Sequence, residues 1–166
     1  MRIGYVMVSN RGDTNRVLTA VAAQLRAEGL CLAGAVQSDT DCAPGGKCDM
    51  DLEILPAGPV VRISQSLGAQ SRGCRLDPVA LEQAVGLTEA RLNDATPDVV
   101  ILNKFGKHEA EGRGFRSTVA RALEADLPIL VGVNATNMAA FEAFTGGLAE
   151  AAGDSVETVL SWLNRG

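Results

Sequence analysis

Short apolar runs alternate with stretches of helical periodicity along most of the chain. Residues 2–8 and 30–36 are nearly continuous apolar runs, which are typical of buried parallel strands. Between them, apolar residues from Val17 to Leu25 recur at the spacing of one helix face, and Gly29 follows as a helix C-cap. The chain therefore opens with a predicted β–α–β unit.

The second half of the chain continues this alternation. Asp77 and Pro78 predict the start of a helix that reaches about Ala95, because Asp is a good N-cap and Pro is tolerated in the first turn. Two further apolar runs, 99–103 and 128–133, predict central parallel strands. The remaining helices are predicted at 115–125, 138–144 and 155–163.

Two segments interrupt the pattern. Residues 38–47 are rich in Asp, Pro and Gly, which predicts a surface loop, and segments 49–55 and 59–65 flank a Pro-Ala-Gly connector, which predicts a β-hairpin. Strands that alternate with helices form a parallel sheet with helices on both faces. We therefore expect a single α/β domain over residues 1–166 with an inserted hairpin.

Ligands of such sheets bind at the carboxyl ends of the strands. This rule directs attention to the loops that follow predicted strands. These loops are 9–15, 38–47, 103–114 and 134–137.

Composition narrows the classes of partner. A net charge of -5 and a pI near 4.9 disfavour binding to nucleic acid or to an acidic membrane, because both need a basic surface. No apolar run approaches the roughly 20 residues that span a bilayer, and Met1 begins directly on a strand-like run. We expect a cytoplasmic protein. Its four cysteines form no CxxC pair, so reduced thiols are expected, with a Cys42–Cys48 disulfide as the alternative.

The loop at 9–15 partly matches the phosphate-binding pattern GxxxxGK[ST]. Met7 replaces the first glycine and Asp13 replaces the lysine, while Gly12 and Thr14 stand where the pattern has Gly and Thr. A carboxylate beside a phosphate is repulsive by roughly 1 to 4 kcal/mol at 4 Å. Either Asp13 or Thr14 also suits a helix N-cap, and a capped helix start still binds anions. The residues expected to bind the anion here are Arg11, Gly12, Asp13, Thr14 and Asn15.

The run 103–114, NKFGKHEAEGRG, places cations directly after a predicted buried strand. Lys104, Lys107 and Arg113 are suited to neutralising phosphate or another oxyanion. They would supply the charge that the first loop lacks. The alternative is a solvated loop whose charges form ion pairs with one another.

The same run also contains candidates for metal binding and catalysis. Asn103, at the tip of the strand, can bind an anion through its amide or approach a metal through water. Glu109 or Glu111 could hold magnesium together with Thr14, or orient an attacking water. Lys104, Glu109 and Glu111 are the predicted catalytic residues.

Two arginines precede the predicted helix at Asp77. Arg72 and Arg75 could clamp an anion at this helix start. Pairing with Asp49 or Asp51 of the hairpin is the alternative.

Four motifs, CDMDLEI, RISQSLG, SRGCRLDP and NKFGKHEAEGRGFR, occur in this order and resemble an uncharacterised bacterial family associated with molybdenum-uptake genes. More distantly, the chain resembles small nucleoside triphosphatases with a P-loop fold and a hairpin inserted after the second strand. The resemblance implies a three-layer, P-loop-like α/β fold.

The resemblance also implies ligands and partners. A nucleoside triphosphate with Mg²⁺ is expected, although Asn103 and Lys104 stand where the triphosphatases have an acidic pair. The chain is therefore expected to bind nucleotide with weak hydrolysis at most. Molybdate, a tetrahedral dianion, is the alternative ligand of a non-enzymatic binder or sensor. A homo-oligomer and a partner in molybdenum uptake are both compatible with this reading.

Overall fold

The computed structural model describes residues 2–10, 12–43, 47–66 and 75–165, without the side chains of residues 41–43 and 47. Its strands are β1 Ile3–Val6, β2 Leu32–Ala43, β3 Lys47–Ile54, β4 Val60–Arg62, β5 Val99–Phe105, β6 Ile129–Val133 and β7 Glu150–Gly153. Its α-helices are α1 Asp13–Ala27, α2 Pro78–Asp94, α3 Lys107–Ala110, α4 Arg116–Glu124, α5 Met138–Thr145 and α6 Val156–Leu163, and a 3₁₀ turn covers Ala135–Asn137.

The strands that the structure describes form one sheet in the order β4-β3-β2-β5-β6-β1-β7. From β2 to β7 all neighbouring strands are parallel. Strands β3 and β4 extend the sheet antiparallel beyond β2. The predicted, mostly parallel sheet with an inserted hairpin is therefore confirmed.

Helices cover both faces of the sheet. Leu18 and Val21 of α1 and Val159 of α6 pack on one face against buried strand residues such as Ile101. On the other face, the buried side chains of α2, α4 and α5 pack against the alternate strand positions, as the two-residue period of a strand requires. This confirms the three-layer architecture. None of the helices in the described ranges is long and apolar enough to cross a membrane.

The prediction of a surface loop at 38–47 is wrong for its first half. Strand β2 continues to Ala43 because β3 pairs with it antiparallel, with Ser38 opposite Asp51 and Asp39 opposite Met50. This pairing satisfies the backbone groups of a polar segment, which composition cannot reveal. Asp51 in turn accepts two hydrogen bonds from Arg62, and these bonds lower the pKa of the Asp51 carboxyl.

Strand β7 is a feature that the sequence pattern missed. Its residues, Glu150–Gly153, pair with β1 alone at the edge of the sheet, and the first two are exposed. An edge strand does not need the continuous apolar run that marks a central strand. The segment therefore carried no signal of its own.

At Gly34 the backbone of β5 leaves no room for a side chain on β2. Its φ of +116° disfavours other residues, and a Cβ there would lie 1.9 Å from the carbonyl oxygen of Ile101. Only glycine permits this pairing.

Replacing Gly34 with alanine therefore separates β2 from β5. We expect Gly34→Ala to lower the free energy of unfolding by more than about 3 kcal/mol, as overpacking and backbone strain add. Gly86→Ala is the matched control, since Gly86 lies in α2 with open space around its Cα, and there alanine should stabilise by about 0.5–1 kcal/mol. Chemical denaturation measures both, and equal stabilities for the two variants would contradict the constraint.

Candidate functional site

The loop between β1 and α1 closes over the start of the helix. Gly12 adopts a φ of 84° and serves as N-cap of α1. The Thr14 hydroxyl accepts a hydrogen bond from the backbone N–H of Val8 (3.0 Å), which ties the first turn of the helix to the beginning of the loop. Arg11, expected in the site, lies outside the described residues.

A cleft of about 520 Å³ opens beside this loop at the carboxyl edge of the sheet. Its walls come from the β1–α1 loop, the first turn of α1, β2, β3, the segment before α2 and the ends of β5 and β6. The lining residues are Val8, Ser9, Asn10, Gly12, Thr14, Asn15, Gln37, Asp39, Cys48, Met50, Arg75, Lys104, Val133 and Asn134. All four loops expected at the ligand edge contribute residues to this cleft, and Arg75 adds to them from the segment before α2.

Asp13, at the position of the P-loop lysine, does not line the cleft. Its carboxylate bonds to Arg16 of the same helix (2.9 Å), an arginine that is itself exposed. The expected repulsion between this carboxylate and a bound anion is thereby weakened, because the positive charge of Arg16 lies beside it.

Of the three cations predicted to face the loop, Lys104 is the one that lines this cleft. Lys104 is exposed, and within the described part of the chain no ion pair involves it. Lys107 and Arg113 instead pair with Glu111, at 3.8 and 2.5 Å. The hydrogen bond from Arg113, helped by the charge of Lys107, lowers the pKa of the Glu111 carboxyl. These three residues match the alternative of a self-paired charged loop.

Glu109 is buried and holds its own loop together. One carboxylate oxygen accepts the N–H of Gly106 (2.9 Å), and the other accepts the N–H of Phe115 (3.0 Å). The side chain is 4% exposed. With both oxygens bound to backbone amides, Glu109 is placed as an anchor between β5 and α4, and this geometry gives no support to its predicted magnesium or catalytic role.

Arg75 lines the cleft but is already partnered. It donates to the carbonyl of Cys48 (2.8 Å) and to Asp49 Oδ1 (3.0 Å), so the pairing with the hairpin that the sequence left open is present. Cys48 is disulfide-bonded, which corrects the expectation of reduced thiols, and its partner lies outside the described side chains. Arg72, the other half of the predicted clamp, is also outside the described residues.

Asn103 is buried at the end of β5, on the face of the sheet that α1 covers. Its Nδ2 lies 3.5 Å from Gln37 Oε1, while its Oδ1 has no hydrogen-bond partner. The side chains of Asn103, Thr14 and Leu18 converge over Gly132, where a Cβ would lie 3.0–3.1 Å from each of them. The asparagine predicted at the strand tip therefore sits next to the predicted phosphate-binding turn.

Gln37, Asp39 and Asn134 line the cleft, and the sequence analysis did not select them. Asp39 lies in the segment 38–47, which was expected at the ligand edge. The presence of a carboxylate in that segment was the feature that could have identified Asp39 as a site residue. Gln37 comes directly after the predicted strand 30–36, so the sequence pattern gave no reason to select it. In the structure, strand β2 continues through Gln37 to Ala43.

A second, mostly apolar cavity of about 220 Å³ adjoins the cleft. Met50, Gln37 and Lys104 line both spaces. Apolar side chains of β3, α2 and the α3–α4 connection, including Leu52, Leu81 and Phe115, also line it. Lys107 lines this second cavity and does not line the cleft.

The sheet order and the helices on its two faces define a three-layer α/β fold of the kind seen in P-loop nucleoside triphosphatases. The solution structure of a human cancer-related nucleoside triphosphatase has the same fold, with a TM-score of 0.66, 17% sequence identity, and coverage of 99% of this chain and 95% of that one. The chain belongs to the family described as "Protein of unknown function (DUF2478)", which matches residues 3–162.

The chain is also similar to the molybdenum import ATP-binding protein ModC 2 of Bradyrhizobium diazoefficiens. It is 32% identical over 148 residues, which are 89% of this chain and 16% of that protein. The chain thus spans a small part of this relative. The resemblance expected from the sequence motifs is confirmed.

The anchoring geometry of Glu109 makes a specific prediction. Glu109→Gln replaces one acceptor oxygen with an NH₂ group and leaves a buried backbone N–H unpaired, so we expect a loss of about 1–3 kcal/mol in the free energy of unfolding. Glu111→Gln, in the same loop but exposed, should stay close to the parent. Thermal and urea unfolding compare the two, and a Glu109→Gln variant as stable as Glu111→Gln would disprove the anchoring role.

Proposed function

We propose that this chain binds a nucleoside triphosphate with its phosphates in the cleft beside α1. The observation that carries the proposal is the meeting of the α1 N-terminus and Lys104 in one cleft. Free N–H groups and the partial positive charge at a helix N-terminus favour phosphate. The relatives' nucleotide-related names, ATP-binding protein and nucleoside triphosphatase, agree with this ligand.

The phosphates would contact the backbone of Gly12 and the first turn of α1, including Asn15. Lys104 would supply from β5 the positive charge that a P-loop takes from the lysine that Asp13 replaces. The Thr14 hydroxyl accepts one hydrogen bond and keeps a second lone pair, so it could ligate a Mg²⁺ that arrives with the nucleotide.

We further propose that hydrolysis is weak or absent. An attacking water needs a carboxylate or an equivalent group to orient it. Asn103 and Lys104, near the end of β5, stand in the place of an acidic pair, and Glu109 is bound to backbone amides. A nucleotide-binding role linked to molybdenum metabolism accords with the name of the ModC relative.

The second candidate function is binding or sensing of molybdate or a related oxyanion. The observation that favours it is the absence of a lysine at position 13, which leaves a site of backbone amides and a single lining lysine suited to a small tetrahedral dianion. In this case the nucleotide would not bind.

Lys104→Ala tests the nucleotide proposal. ATP with Mg²⁺ at about a hundred times its Kd should stabilise the protein by about 2.7 kcal/mol, which raises Tm by roughly 5–10 °C for a domain of this size. Removing Lys104 should weaken binding by at least about tenfold, because a charge-assisted contact of about 1.5–3 kcal/mol is lost.

The controls for this experiment separate charge from position. Arg91→Ala removes one positive charge from the exposed side of α2 and should keep the full Tm shift. Lys104→Arg should retain most of it. No Tm shift of the parent protein with any nucleotide, with or without Mg²⁺, would refute the proposal.

Isothermal titration with sodium molybdate separates the two candidate functions. The nucleotide proposal predicts no saturable heat with molybdate up to millimolar concentration, and saturable heat with Mg-ATP. The oxyanion function would be established instead if molybdate gave saturable heat, Lys104→Ala removed that heat, and Mg-ATP gave none.

A further inference from the structure

Asp39 is a carboxylate inside the cleft that none of the site's expected roles includes. It lies on the part of β2 that extends beyond the parallel sheet and pairs with Met50 of β3. Its Oδ2 approaches the start of α1, lying 3.9 Å from where a Cβ of Gly12 would stand and 3.5 Å from Asn15 Nδ2. A carboxylate thus faces the same helix turn as the proposed phosphates.

A chain of side-chain amides holds Asp39 in place and connects it to the end of β5. Gln37 Nε2 donates to Asp39 Oδ1 (2.8 Å), and Gln37 Oε1 lies 3.5 Å from Asn103 Nδ2. Gln37 and Asn103 are 5% and 3% exposed. Because Gln37 occupies Oδ1, Oδ2 is the oxygen left toward the helix start.

The inner end of this chain carries a buried acceptor without a partner. Asn103 Oδ1 is buried without a hydrogen-bond partner and lies beside Thr14 above Gly132. Buried acceptors in proteins are almost always satisfied. The Thr14 hydroxyl and the Asp39 carboxylate both line the cleft, and hydroxyl and carboxylate oxygens are hard donors of the type that Mg²⁺ prefers.

The charge of Asp39 determines which ligand fits. A bare anion at the start of α1 would be repelled by this carboxylate. A divalent cation bound to the phosphates turns the repulsion into attraction. Among the described residues, no cluster of three or more His, Cys, Asp or Glu side chains exists, so we do not expect a metal to bind without nucleotide. A Mg²⁺ ion that keeps several waters needs only one or two carboxylates beside the phosphates.

We propose that Asp39 is the carboxylate that binds the Mg²⁺ of a Mg–nucleotide complex, directly or through a bound water. It thereby performs, from β2, the acidic role that Asn103 and Lys104 leave open at the end of β5. This inference rests on the proposed nucleotide binding. With Asp39 in this role, nucleotide binding depends on a divalent cation. Neither the start of α1 nor Lys104 would by itself create that dependence.

Binding of ATP in the presence of Mg²⁺ or of EDTA tests the inference without measuring turnover. For the parent protein, Mg²⁺ should raise the affinity for ATP at least tenfold in a titration followed by calorimetry. In Asp39→Asn, this enhancement should fall to less than twofold. The affinity measured in EDTA should stay equal or increase, because a repulsive charge has been removed.

Glu53→Gln is the matched control. It removes one negative charge from β3, where Glu53 pairs with Arg26 and does not line the cleft, and it should keep the full Mg²⁺ enhancement. If Mg²⁺ raises the ATP affinity of Asp39→Asn as much as that of the parent, the inference is overturned and the proposed nucleotide binding is unaffected. Asp39 would then act only as a counter-charge for the N-terminus of α1. A parent protein that binds ATP in neither condition overturns both the inference and the proposed function.

Discussion

Gly132 has no side chain, and three side chains from different elements meet in the space above it. Leu18 and Thr14 come from α1, and Asn103 comes from β5, each within 3.0–3.1 Å of where a Cβ would be. This contact brings the first turn of α1 down onto the ends of the central strands. The β1–α1 loop, the cleft and the buried amide of Asn103 all depend on this close approach, because any larger residue would displace the helix start.

The same edge of the sheet shows how a P-loop-like site is arranged when its usual charged groups are absent. The carboxylate at position 13 is paired with Arg16, and the exposed Lys104 lies across the cleft on β5. The antiparallel extension of β2 adds Asp39 from a direction that a purely parallel sheet would not provide. Among the described residues, the charged groups that line this cleft thus come from β2, β5 and the segment before α2, and the first turn of α1 supplies none of them.

Local pattern correctly predicted the features that depend on short stretches of chain. Central strands are continuously apolar, as in residues 99–102, because helices cover them on both faces. Asp77 caps α2 as expected and accepts hydrogen bonds from Val79 and Ala80. The inserted hairpin was visible from its alternation. In contrast, the strand character of residues 38–43 depends on pairing with β3, and β7 depends on pairing with β1, so neither could be seen in local composition.

For the site, the sequence by itself determined which loops reach the carboxyl edge of the sheet and that residues 7 and 13 depart from the phosphate-binding pattern. Both follow from the order of strands and helices and from the residue types at fixed spacing. Only the tertiary structure decided which charges face the cleft. Lys104, Lys107 and Arg113 are close in sequence, yet Lys104 lines the cleft while the other two pair with Glu111. The pairs with Glu111 are local, whereas Lys104 reaches the cleft because β5 lies between β2 and β6 at the edge where the β1–α1 loop also ends. That arrangement exists only once the sheet and its helices have assembled.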